Sequence, residues 1–182
     1  MSGPTDTTLL IYAILAISVC GALTDLVCGK IFNWLTLPAL VLGLAASTWL
    51  NGWTGLSTAV LGTLAGLILY GWMFVLGAMG AGDVKFIMAL GAWGGVRFAV
   101  QTALLGVLVG GLLAVLMLVF SGKMPGFLKR VHRFFLTLFV RELEIEMPKI
   151  NHAMTMPFGI PIAIAAAWVA LGDPFSFLGV TL

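Results

Sequence analysis

The chain has 182 residues, 61% of them hydrophobic and only 9% charged, with a formal net charge of +2 and a mean hydropathy of +1.14. That composition excludes a soluble domain, which could not cover so much apolar surface, and the apolar runs approach the ~20 residues that cross a bilayer. Cys20 and Cys28 stand eight apart with no Cys-x-x-Cys pair, so neither a zinc site nor a disulfide framework is supported and apolar packing is expected of both.

The first apolar run, residues 9–24, is short and N-terminal. Residues 1–8 carry no Lys or Arg, so the basic region of a secretory signal is missing and the run reads as a retained span. Runs at 34–50 and 57–79 follow. The next, 84–93, is short for a crossing at ~1.5 Å per residue and ends at Gly94-Gly95. A longer run covers 98–120. Residues 121–152 are then polar, carrying Lys123, Lys129, Arg130, Arg133, Arg141 and Lys149 with Glu142, Glu144 and Glu146. Within that stretch Phe127, Leu128, Val131, Phe134, Phe135 and Leu138 recur at helical spacing, which predicts a basic amphipathic helix on the membrane surface, as an anchor or a guide for substrate. His132 and His152 in the same stretch read as surface histidines. A final run, 156–171, ends near Asp173-Pro174. The expected fold is all-α: a polytopic membrane helix bundle of about six spans, one membrane-embedded domain over residues 1–182 with a cytoplasmic polar loop at 121–152.

Charge orients the bundle. With six crossings and both termini outside, Lys30, Lys85 and the six basic residues of the polar loop fall inside and only Arg97 falls outside, as the positive-inside tendency requires. The same assignment puts Asp25, at the inner end of span one, level with Asp83, at the inner start of span four. Gly62-x-x-x-Gly66, Gly91-x-x-x-Gly95 and Gly106-x-x-x-Gly110 are expected to bring spans of this bundle together rather than to form a dimer. Trp34, Trp49, Trp53 and Trp72 read as interfacial anchors or core.

Carboxylates at membrane depth or its margin are costly, so two acids on one side point to a function. Asp83 lies in Gly80-Ala81-Gly82-Asp83-Val84-Lys85, where small residues permit close backbone approach and a turn before the helix resumes. Asp25 opens a stretch that continues through Gly29-Lys30-Ile31-Phe32-Asn33 to Thr36. The first stretch resembles the Gly-x-Gly-Asp-x-Lys signature of the type IV prepilin peptidases and the second their aspartate, basic, Ile-Pro-Asn, Leu-Thr signature. Pro157-Phe158-Gly159-Ile160-Pro161 is similar to their Pro-Phe-Gly-x-Pro element. Phe32 stands where that family usually has proline, leaving the turn less rigid. No four-cysteine insertion interrupts the chain, so it resembles the short, peptidase-only branch serving Flp or Tad pili, without the N-methyltransferase part.

The resemblance implies an aspartic endopeptidase of the bacterial inner membrane that removes a short basic leader after a glycine from prepilins or pseudopilins at the cytoplasmic face. It implies Asp25 and Asp83 as the catalytic pair, with Gly80, Gly82, Lys85, Asn33 and Thr36 in support. No metal or other cofactor and no nucleic-acid partner is expected, and the lipid bilayer is the other partner. Two carboxyl groups sharing one water fit this chemistry, since at close range one remains protonated while the other accepts a proton. Helix-end electrostatics points to Asp83 as base and Asp25 as acid. Lys85 would tune an acid or anchor the inside face; Asn33 and Thr36 would orient Asp25 or, by slight preference, cap span two. A small proton-coupled transporter or channel using the acids as a relay is the alternative, and would place them near the bilayer midplane with openings to both sides. A catalytically idle scaffold is disfavoured by the intact Gly-x-Gly-Asp.

Overall fold

A computed structural model describes residues 4–122, 126 and 158–172. Four helices run through them: α1 (Pro4–Cys28), α2 (Asn33–Val75), α3 (Ala81–Phe120) and α4 (Gly159–Leu171), with no strand among the described residues. The chain divides into two compact units, one of residues 1–110 with 156–182 and the other of residues 111–155. The amphipathic helix expected at 127–138, and both histidines, lie outside the described residues.

Three of these helices are long and apolar enough to cross a membrane: residues Thr8–Cys28 of α1, and α2 and α3. At 21 residues the first measures ~32 Å, a match for a hydrocarbon core of ~30 Å. With 43 and 40 residues, α2 and α3 would each run twice that length if straight. Neither is straight, because Gly52 (φ 59°) and Gly95 (φ 77°) leave helical geometry in a region that only glycine enters without strain. The chain reverses at both. A β-carbon built on Gly55 would strike the carbonyl oxygen of Ser47, and one built on Gly91 would sit 3.2 Å from Cβ of Ala99, although each pair is eight residues apart and would be ~12 Å apart along a straight helix. Each long helix is therefore a hairpin of two arms, and the described chain contains six helical segments.

The glycine pairs make the packing, as expected. Gly62 and Gly91 face each other so closely that a β-carbon on either would meet the other's carbonyl oxygen; Gly66 lies against the backbone of Ile87. Gly106 receives the Tyr70 hydroxyl and Ile162, and Gly110 receives the Phe158 ring. Three hydrogen bonds pin α2 to α3: Ser47 Oγ donates to the Ala92 carbonyl (3.1 Å), Trp93 Nε1 to that of Ala39 (2.7 Å), and the Tyr70 hydroxyl to that of Ala103 (3.1 Å). The first arm of α3, residues 81–94, is ~21 Å long and too short to face lipid over a full bilayer. It is instead the centre of the bundle, with Phe86, Ile87, Ala89, Leu90 and Ala92 fully buried. Outward faces are apolar: Leu108 and Val41 are exposed, as are Trp34, Trp49, Trp53 and Trp72, all four of which point outwards rather than into the core. Cys20 and Cys28 are unpaired and also exposed, so they do not pack inside the bundle.

Candidate active site

The glycine-rich turn holds Asp83 by a reciprocal arrangement. Gly80 stands just before α3, and Asp83, at the third helical position, returns its Oδ2 to the Gly80 N–H (3.1 Å) while its own N–H donates to the Gly80 carbonyl (3.1 Å). An acid at the third position satisfying the N-cap amide is one half of a capping box. It also fixes the side-chain rotamer. Gly82 is small for a different reason: a β-carbon there would lie 3.1 Å from the carbonyl oxygen and 3.3 Å from Cβ of Ile31, which follows Asp25 in the loop between α1 and α2.

Asp25 lies further inside its helix than apolar patterning suggests. The apolar run stops at Thr24, yet α1 continues through Cys28 and closes when Gly29 N–H donates to the Asp25 carbonyl (2.8 Å). The side chain is 4% exposed, and its Oδ2 accepts the N–H of Gly159 at 2.7 Å from the first residue of α4. Both aspartates thus accept backbone N–H groups at helix N-termini, Asp83 on its own helix and Asp25 on α4. The asymmetry that pointed to Asp83 as base and Asp25 as acid disappears, because the partner of Asp25 comes from 134 residues away.

Neighbouring contacts join the two motifs. One turn inward from each, the ring of fully buried Phe86 on α3 rests on Gly21 of α1, where even a β-carbon would clash with it. On the outer side, Gly82 packs on Ile31, and Lys85 Nζ donates to Asn33 Oδ1 at 2.9 Å, joining the segment after Asp25 to the segment after Asp83. Lys85 therefore latches the two motifs through Asn33, and no ion pair to either acid is formed among the described residues.

The capping expectation for Asn33 and Thr36 is corrected. The N-cap of α2 is Phe32, extended at φ −81° and ψ 143°, with no side-chain cap. Asn33 gives its side chain to Lys85, and Thr36, 1% exposed, turns its hydroxyl back to the Phe32 carbonyl (3.5 Å). Gly21, Phe86 and Gly159 complete the surroundings of the acids. Only Gly159 carried a signal in the sequence, as part of Pro-Phe-Gly-x-Pro; Gly21 has no motif of its own.

An all-helical bundle with long apolar helices and two carboxyl groups, each accepting a backbone N–H at a helix N-terminus, defines a class of membrane protein. Residues 10–115 match the type IV leader peptidase family, and the chain belongs to that family of proteases. No curated protein and no solved structure matched it.

Proposed function

We propose that the protein is an aspartic endopeptidase, without a methyltransferase part, that cleaves the leader of Flp-like type IV prepilins or pseudopilins at the cytoplasmic face of the bacterial inner membrane. The observation that carries this reading is the side-by-side placement of the two motifs, Gly82 on Ile31 and Lys85 bonded to Asn33, with Asp25 and Asp83 each within the last or first turns of its helix. In the proposed reaction the ionised carboxyl group takes a proton from water as the water oxygen bonds to the scissile carbonyl carbon. The protonated partner gives its proton to the carbonyl oxygen. Collapse of the tetrahedral diol breaks the C–N bond, and the amine leaves with a proton returned by the carboxyl groups.

Topology supports the site of action. Six helical segments with both termini outside would put Lys30 and Lys85 on the same side as the acids, and exposed Arg97, just past the Gly95 reversal, on the other. A proton relay through the membrane would need acids near the midplane, which acids in terminal turns do not supply. The test is to mix the purified protein with Flp-type prepilins in detergent micelles and locate the new N-terminus by mass spectrometry. A single cut at the end of the basic leader is the expected result; intact prepilin at full enzyme folding would refute the proposal.

A further inference from the structure

We propose that the start of α4 is a positioning element for Asp25, with Gly159 as its determining residue; this rests on the reading of Asp25 as one of the two catalytic acids. The argument begins with the donors of the first helical turn, which have no intrahelical acceptor and need one elsewhere. In Phe158-Gly159-Ile160-Pro161-Ile162, proline has no N–H and the Ile162 N–H donates to the Phe158 carbonyl (3.2 Å). Two donors remain, Gly159 and Ile160, and the first serves Asp25 at 2.7 Å. Phe158, the N-cap, has no side-chain oxygen to offer them, so Asp25 caps α4 from another helix.

The contact is reciprocal. A buried carboxyl group needs hydrogen-bond partners, and an amide on a fixed helix end defines where the oxygen it serves lies. That end is fixed by the Phe158 ring against Gly110, by Ile162 against Gly106 and by fully buried Pro161. The site also demands glycine. A β-carbon on residue 159 would lie 2.7 Å from Oδ2 and 2.9 Å from both Cβ and Cγ of Asp25, with the carboxyl group itself as the obstacle. An alanine there, otherwise welcome in a helix, must push the carboxyl group aside.

Two variants test the proposal by different routes, each assayed in full-length protein on a Flp-type prepilin. Gly159→Ala displaces the carboxyl group. Phe158→Leu removes the ring that seats this helix end on Gly110 and leaves residue 159 and its N–H unchanged. Both are expected to lower kcat by about tenfold to a hundredfold in the folded protein, as a ~1 Å misplacement of a reacting group does, with KM within about twofold. One limb of the pH profile of kcat should move as well, which a purely structural lesion would not cause. Should Gly159→Ala fail to fold, Phe158→Leu alone decides. Wild-type kcat in the folded variants, or a loss of kcat with an unmoved pH profile, overturns the positioning role. Asp25→Asn is run beside them: full activity there would refute the aspartic reading itself, whereas an inactive Asp25→Asn with active Gly159→Ala removes only the present inference.

Discussion

Replacing Gly62 with alanine measures how tightly the two hairpins are locked. A β-carbon at residue 62 would overlap the carbonyl oxygen of Gly91 and lie 2.7 Å and 2.8 Å from the carbonyl carbon and Cα of Gly95, where unstrained carbon contacts are ~3.5–4.0 Å. All three obstacles are backbone, and Gly95 is held at φ 77° in the reversal of α3, so no side chain can rotate away. Relief requires the arms to separate. Overpacking of this kind costs about 1–3 kcal/mol, and a backbone obstacle places it at the upper end. Against that stands a gain of about 0.8–1 kcal/mol from replacing glycine within a helix. The expected net loss is about 1–2 kcal/mol, or a drop of ~2–8 °C in thermal midpoint for a chain of this size. Gly111→Ala is the control, because a β-carbon there meets nothing within 4 Å and only the propensity gain remains. Thermal unfolding of both variants in one detergent, followed by circular dichroism, should move in opposite directions. A Gly62→Ala protein as stabilised as Gly111→Ala would refute the close packing of the hairpins.

Phe32→Pro should be tolerated and stabilise the fold by about 0.4–1 kcal/mol, since φ −81° lies in the range of proline and Phe32 donates no backbone hydrogen bond among the described residues; a lowered thermal midpoint would contradict that backbone. Asn33→Ala and Lys85→Met should be non-additive by about 0.5–1.5 kcal/mol in a double-mutant cycle on stability, reporting their 2.9 Å hydrogen bond, and additivity would remove the latch. Cys20→Ser and Cys28→Ser should retain full processing and chelators should leave it unchanged, because the proposed proton transfers run between carboxyl groups and water; loss restored by adding metal back would point to other chemistry.

The hairpins were legible in the residues because apolar length and glycine are both local signals. Runs of 34–50 and 57–79 are too long together for one straight span, and the short run 84–93 ends at Gly94-Gly95, where α3 reverses. Element ends were less so. The helix containing Asp25 outlasts its apolar run by a turn, since a buried carboxyl group with amide partners no longer ends a span, and α2 ends at Val75 rather than 79 because Gly77 and Ala78 close its last turn onto Phe74 and Met73. The glycine-rich turn around Asp83 showed its chemistry at once, for its hydrogen bonds span three residues. The anchoring of Asp25 did not: its donor lies at the far end of the chain, and no periodicity relates residue 25 to residue 159. Asn33 and Thr36 misled for the same reason, as each has the chemistry of a cap while a distant lysine claims the first.

The central claim is that Asp25 and Asp83 act as one catalytic pair. It is tested most directly by processing rates of Asp25→Asn and Asp83→Asn, each in membranes at wild-type abundance, with prepilin in excess. Either substitution removes one proton-transfer partner at nearly constant volume, so each alone should reduce the rate by about 10³-fold or more, and the double variant should be little worse than either, as for residues that act as a unit. Near-wild-type processing by either single variant would contradict the pair.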